Sequence, residues 1–181
     1  MAQTAKDLNG LKVGEKAPFF TAKDQNGKEF SLETELQKGA VVIIFYRGQW
    51  CPICNKHLSN LQDSLELIYE KGATVIAISP EKSEFLLKTQ KKTKAEFTLL
   101  YDEDYKIAKA FDVIFNPTKM QLFMYNKLLR ADLKNAQTDD SEQLPIPATF
   151  VINKEGIIIW RHFDPNYKKR SSVNAILDAL N

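Results

Sequence analysis

The chain is poor in the residues that hold small or unusual folds together. Its 181 residues include only two cysteines, two histidines, seven glycines and seven prolines, and the formal net charge is +2. This composition excludes a disulfide-rich scaffold, a collagen-like repeat and an intrinsically disordered chain. A chain of this length buries enough apolar surface to fold without disulfides, so we expect one domain over residues 1–181.

Long apolar segments are also missing. The longest apolar runs, residues 40–46 and 148–152, fall far short of the roughly 20 residues that cross a bilayer. Residues 1–10 lack the apolar core of a signal peptide. We therefore expect a cytoplasmic protein with no membrane partner. The small net charge also predicts no nucleic-acid partner, and we interpret the basic run 88–94 as a solvated helix end.

The hydrophobic pattern predicts an α/β fold with buried parallel strands. Residues 40–46 and 73–79 are apolar on both alternating faces, which is typical of strands covered on both sides. Between them an apolar stripe with helical spacing ends near Gly72. A strand, helix and strand in this order predict a right-handed crossover and a parallel pair. The stripe consists of Leu58, Leu61, Leu65, Ile68 and Tyr69.

Local signals predict the remaining elements. Asn26-Gly27 favours a tight primed turn in a hairpin over residues 17–30, and residues 153–156 favour a turn in a second hairpin over 147–160. Residues 116–144 combine helical and loop-like stretches, so we interpret them as a partly helical insertion. The other predictions are short helices over 31–37 and 103–111, a helix from Pro80 to Lys92, an edge strand over 98–101, and a last helix over 171–180.

The two cysteines, Cys51 and Cys54, stand three positions apart. Two cysteines placed at random in this chain would do so roughly once in 90 arrangements, so the spacing indicates redox or metal chemistry. The pair lies where the strand over 40–46 becomes a helix whose first residue is predicted to be Pro52. Free N–H groups and the positive end of the helix dipole would stabilise a thiolate there. Arg47 and His57 are candidates for further stabilisation.

Two other interpretations of the pair stay open. Cys51, Cys54 and His57 could supply three zinc ligands, but a structural site normally has four and His162 is the only other histidine. Alternatively, both cysteines could be inert core residues.

Three segments identify a family resemblance. The run Phe-Tyr-Arg-Gly-Gln-Trp-Cys-Pro-Ile-Cys at 45–54, with Val-Gly-Glu-Lys-Ala-Pro-Phe at 13–19 and Pro-Ala-Thr-Phe-Val-Ile at 147–152, resembles the alkyl hydroperoxide reductase/thiol-specific antioxidant family. More narrowly, it is similar to the peroxiredoxin-like branch with a thioredoxin-type Cys-x-x-Cys. The resemblance implies an α/β thioredoxin fold, in which helices flank a central mixed β-sheet, with an amino-terminal β-hairpin and a partly helical insertion. No cofactor is implied.

The motif departs from that family in a specific way. Typical members carry Pro-x-x-x-Thr-x-x-Cys and a distant arginine, which together activate one peroxidatic cysteine. That cysteine falls on Cys54, the proline position on Arg47 and the threonine position on Cys51. The arginine position falls on or close to Pro147. The resemblance therefore implies that the usual peroxide-activating set is missing.

Other features resemble thioredoxins. Trp50 precedes the first cysteine, and Pro147 stands just before a predicted strand. The resemblance implies a cis peptide bond at Pro147 and a substrate-binding role for Trp50, Ile146 and Pro147. The buried acid that many thioredoxins carry six positions before the first cysteine is replaced by Phe45. His57 could act as a proton carrier instead, since the ordinary pKa of histidine lies near neutrality.

These features favour a thiol-disulfide oxidoreductase in which Cys51 attacks and Cys54 resolves. The alternative is a thiol-dependent peroxidase in which hydroperoxide oxidises Cys54, or Cys51, to sulfenic acid. A second alternative is a non-catalytic redox sensor or binding module. The expected partners are protein or small-molecule disulfides or hydroperoxides and a thiol donor such as thioredoxin or glutathione. An exposed strand edge or the insertion could support a homodimer.

Overall fold

Seven strands form one mixed sheet within residues 4–181, the part of the chain that the computed structural model describes. The first three residues of the segment considered for a signal peptide lie outside this range. The strands are β1 (Thr21–Asp24), β2 (Glu29–Ser31), β3 (Ala40–Phe45), β4 (Ala73–Ser79), β5 (Thr98–Tyr101), β8 (Thr149–Ile152) and β9 (Ile158–His162). Two further strands, β6 (Ile114–Phe115) and β7 (Leu144–Pro145), pair separately. The order in the main sheet is β2-β1-β5-β4-β3-β8-β9.

Helices lie between the strands of this sheet. They are α1 (Leu32–Leu36), α2 (Pro52–Asp63), α3 (Leu65–Glu70), α4 (Ser83–Thr93), α5 (Lys106–Ala110), α6 (Lys119–Phe123), α7 (Leu133–Ala136) and α8 (Val173–Ala179). A π-helical turn, Met124–Leu128, continues α6. Within residues 4–181, none of these helices is long and apolar enough to cross a membrane.

Strand β3 positions the cysteine pair at the edge of a layered core. It pairs in parallel with β4 and antiparallel with β8, and its side chains alternate between two apolar clusters. Val42 and Ile44 belong to the cluster that contains both cysteines. Ile43 and Phe45 belong to the other. Because both faces of β3 are buried, the loop that follows it, residues 46–51, begins inside the core.

Most of the predicted elements are confirmed. The buried strands, their parallel pairing, both hairpins, the short helix after Ser31 and the carboxyl-terminal helix occur within a few residues of the expected bounds. The partly helical insertion is also present, as α6, the π-helical turn and α7.

Four local predictions are corrected. Strand β5 is an interior strand, because the amino-terminal hairpin pairs with its outer side. The predicted long helix breaks at Ser64 into α2 and α3, and Tyr69 is exposed rather than part of the buried stripe. The first hairpin turn is not primed, since only Gly27 has a positive φ there. A primed type I turn needs positive φ at both central residues.

Candidate active site

The strand-to-helix junction places both cysteines on the first turn of α2. Cys51 is the N-cap residue and Pro52 the first helical residue, as the sequence predicts. The two cysteines form a disulfide, with 5.2 Å between their Cα atoms. Both side chains are completely buried in this state. A reagent can reach the sulfur atoms only when the segments that cover them move.

The sulfur of Cys51 lies where a thiolate would be stabilised. Its Sγ accepts a hydrogen bond from the backbone N–H of Cys54 at 3.3 Å and another from Nη2 of Arg47 at 3.3 Å. The first is a helix N-cap contact, and the second is charge-assisted once the thiol ionises. Arg47 therefore lies within hydrogen-bond distance of the sulfur whose thiolate the sequence expects it to stabilise.

Aromatic side chains enclose the guanidinium of Arg47. Its Cζ lies 4.2 Å from the ring centroid of Tyr167, 5.0 Å from that of Trp50 and 5.1 Å from that of Tyr125. The hydroxyl of Tyr125 also accepts a hydrogen bond from Nη1 at 3.1 Å. Burial lowers the pKa of Arg47, while the two tyrosines oppose that change. Cation–π contacts with three rings help offset the cost of burying this charge.

A second arginine, which sequence reasoning missed, contacts the other sulfur. Nη2 of Arg170 donates a hydrogen bond to Sγ of Cys54 at 3.4 Å, and its Nε donates to the carbonyl of Tyr167 at 2.7 Å. Burial and the charge of Arg47 lower the pKa of Arg170 to about 10, so it remains protonated at neutral pH. No spacing pattern marks Arg170, because it lies in a loop 116 residues after Cys54.

His57 lies near the pair but does not act on it as expected. Its Nε2 contacts the hydroxyl of Ser171 at 3.0 Å, and that hydroxyl contacts Thr149 at 2.8 Å. Burial and the charge of Arg170 lower the pKa of His57 to about 4. A pKa this low does not favour the expected proton carrier that titrates near neutrality. A neutral imidazole also adds no positive charge for a thiolate.

The potential zinc ligands do not converge. Within residues 4–181, no group of three His, Cys, Asp or Glu side chains is arranged to hold a metal ion. Cys51 and Cys54 are bonded to each other, and His57 turns toward Ser171.

A buried carboxyl group lies behind the cysteine loop. Glu81, just after β4, is completely buried, and its Oε2 accepts a hydrogen bond from the backbone N–H of Gln49 at 2.8 Å. Burial raises the pKa of Glu81 to about 8, although Lys92 and Lys88 oppose this. A Cβ atom at Gly48 would lie 2.5 Å from Oε1 of Glu81. A side chain at position 48 would therefore force the buried Glu81 carboxyl group to shift.

The region around Pro147 differs from the thioredoxin-like expectation. The Ile146–Pro147 peptide bond is trans, so the prediction of a cis bond is wrong. The backbone N–H of Ile146 donates to the carbonyl of Val113 at 2.7 Å, and both Ile146 and Pro147 are buried. The backbone N–H of Ile146, which a bound substrate strand would need, is therefore already occupied beside the β6–β7 pair. Trp50 packs against Tyr125 with 5.0 Å between ring centroids, the two rings tilted by 36°, and is 5% exposed.

Comparisons with known proteins identify the family of this chain. The AhpC/TSA family model matches residues 13–161. The chain belongs to the AhpC/TSA family. It is 35% identical over 106 residues to peroxiredoxin Bcp of Escherichia coli (strain K12), covering 59% of this chain and 67% of that protein. It is 29% identical over 154 residues to peroxiredoxin Bcp of Bacillus subtilis (strain 168), covering 83% and 85%.

Solved structures show the same fold. Peroxidoxin BcpB from Mycobacterium tuberculosis superposes with a TM-score of 0.72 at 21% identity, over 94% of this chain and 96% of that one. A peroxiredoxin-like protein from Aquifex aeolicus gives a TM-score of 0.72 at 16% identity, over 95% and 87%. The thioredoxin fold of the peroxiredoxin type is therefore confirmed.

As a member of the AhpC/TSA family with a Cys51–Cys54 disulfide, the protein is a thiol-dependent oxidoreductase.

Proposed function

We propose that the protein is a thiol-dependent peroxidase that cycles between a dithiol and the Cys51–Cys54 disulfide. The contact that carries this proposal is the hydrogen bond from Arg170 to Sγ of Cys54. Cys54 occupies the peroxidatic position of the family motif, and the motif's own arginine position falls near Pro147. Arg170 supplies a guanidinium to the same sulfur from a different loop. The relatives named peroxiredoxin support this function over general disulfide exchange.

The oxidative half of the cycle balances with the two cysteines, one hydroperoxide and protons from solvent. The Cys54 thiolate attacks the distal peroxide oxygen, the O–O bond breaks, and the leaving alkoxide takes a proton to give an alcohol. Cys54 is thereby oxidised to sulfenic acid. The Cys51 thiolate, held by Arg47 and the helix end, attacks that sulfur, and the sulfenic oxygen leaves as water after taking a proton. Two electrons from a thiol donor then restore the dithiol.

Burial of the pair also favours a small oxidant. Both sulfurs are inaccessible in the disulfide form, and the backbone N–H of Ile146 is already paired with Val113. A hydroperoxide needs only a narrow path to a thiolate. An extended protein substrate would have to displace the β6–β7 pairing. We further propose a cytoplasmic location, where thiol donors are kept reduced.

The experiment follows peroxide consumption and sulfenic acid formation in three proteins. Wild type should consume hydrogen peroxide or an organic hydroperoxide with a thiol donor. Cys54→Ser should lose this activity. Cys51→Ser should form one sulfenic acid per chain that dimedone traps, but should not form the intramolecular disulfide. Dimedone labelling of Cys54→Ser alone would reverse the order of the two cysteines, and no peroxide turnover in wild type would refute the proposal.

Thiol-disulfide exchange is a second candidate, which the N-cap geometry of Cys51 favours. Two donors at 3.3 Å make Cys51 the better-stabilised thiolate of the pair, as an attacking thiol requires. In this case Cys51 attacks a substrate disulfide and Cys54 resolves the mixed disulfide. Reduction of insulin by wild type at a rate that exceeds peroxide turnover would establish this function instead.

A further inference from the structure

The helical segment that carries Tyr125 packs against the active site on one side and faces solvent on the other. Tyr125 in the π-helical turn is 4% exposed and contacts Arg47 and Trp50. The opposite side presents an apolar stripe to solvent, which we call the outer stripe. It consists of Met120, Phe123, Met124, Leu128 and Leu129, which are 80%, 63%, 41%, 70% and 36% exposed.

The outer stripe is a continuous surface rather than scattered exposure. Positions 120, 123, 124 and 128 follow the spacing of one helix face. Single exposed apolar side chains are ordinary, but a contiguous apolar patch indicates an interaction site. The patch lies on the same short helix as Tyr125, one of the rings that enclose Arg47.

Charge around the stripe indicates the kind of partner. Three cations, Lys119, Lys127 and Arg130, lie within residues 113–131, and all three are exposed. Asp132 and Glu142 line a surface pocket with Lys127 and Arg130, where Lys134 adds a further positive charge, so the cations outnumber the acids. A second copy of this chain, docked stripe to stripe, would bring these like charges together. A partner with an apolar contact surface and an acidic rim would neutralise them.

We propose that the outer stripe docks the protein dithiol that reduces the Cys51–Cys54 disulfide. This inference rests on the proposed function, which requires a thiol donor. The donor must reach the cysteine pair. Tyr125 contacts Arg47, and Arg47 contacts Sγ of Cys51, so a donor bound beside Tyr125 lies close to the pair. A donor thiolate bonds to one cysteine sulfur, the Cys51–Cys54 bond breaks, and the released thiolate stays beside its arginine. The second donor thiol then attacks the mixed disulfide, so the donor becomes a disulfide and its two protons balance those of the restored dithiol.

The test measures disulfide reduction directly, without peroxide, using thioredoxin as the protein donor and dithiothreitol as the small one. Phe123→Ser/Leu128→Ser should raise the KM for thioredoxin about tenfold and leave the rate with dithiothreitol within about twofold. The matched control is Leu67→Ser/Leu87→Ser, which changes two exposed apolar residues on α3 and α4. It should change neither rate.

Charge-reversal variants provide a second test of the docking surface. Lys119→Glu/Lys127→Glu should also raise the KM for thioredoxin and reduce its dependence on salt. The proposal is overturned if the stripe variant reacts with thioredoxin like wild type, if its reaction with dithiothreitol slows equally, or if thioredoxin does not reduce wild type. It is also overturned if the variant alters only self-association or vesicle binding. If wild type shows no peroxide turnover but the variants still change the reaction with thioredoxin as expected, the proposed function is refuted and the docking proposal is not.

Discussion

The guanidinium of Arg170 donates a hydrogen bond to Sγ of Cys54 across 116 residues of sequence, at 3.4 Å. Arg47 does the same for Cys51 from only four residues away. Each sulfur of the pair therefore has its own cation. Because the site is buried, these charges act on the thiolates with little screening by water or salt.

Arg170→Met should slow sulfenic acid formation at Cys54. The variant removes a charge-assisted hydrogen bond of about 1.5–3 kcal/mol, so the expected loss is about 10- to 100-fold. The measurement is single-turnover oxidation of the reduced protein, followed by Trp fluorescence. Lys169→Met is the control, because Lys169 is exposed and pairs with Asp164. An equal loss of oxidation rate in both variants would show that the rate depends on the loop around residue 170 and not on the Arg170 guanidinium.

Arg47→Met should raise the pKa of the Cys51 thiol in the reduced protein. Without the guanidinium, the thiolate keeps only the contact with the N–H of Cys54, and we expect about tenfold less thiolate at neutral pH. The pH dependence of iodoacetamide alkylation in Cys54→Ser measures this change. Arg47→Lys should restore part of the ionisation, since it keeps the charge. An unchanged alkylation profile in Arg47→Met would contradict the assignment.

Glu81 should make stability depend on pH. Its pKa is raised from an ordinary value of 4.5 to about 8 in the folded protein, so the unfolded chain releases this proton first. The stability it contributes is fully present below pH 4.5 and is lost as pH rises through about 8. Over that range the loss is of the order of 5 kcal/mol.

Glu81→Gln tests this directly, because its amide oxygen can still accept the hydrogen bond from Gln49. Urea unfolding between pH 5 and 9 should show wild type losing stability relative to the variant as pH rises. Parallel curves would mean that Glu81 does not titrate in this range.

His57 should titrate at acidic pH. Burial and Arg170 lower its pKa from 6.5 to about 4, so the stability it contributes is present above pH 6.5 and is lost as pH falls toward 4. An NMR titration of the imidazole Cε1 proton, assigned with His57→Asn, should have its midpoint near pH 4. A midpoint above pH 6 would restore His57 as a candidate proton carrier near the dithiol.

The amino-acid sequence by itself determined the framework and the reactive pair. Apolar runs at 40–46 and 73–79 have the period of buried strands, and Cys51-Pro52 marks a helix start, because these signals depend only on neighbouring residues. The tertiary structure decided the chemistry around the sulfurs. Arg170, Tyr125 and Glu81 reach the loop from elements far away in the chain. The trans bond at Pro147 and the lowered pKa of His57 depend on packing and burial, which no local pattern encodes.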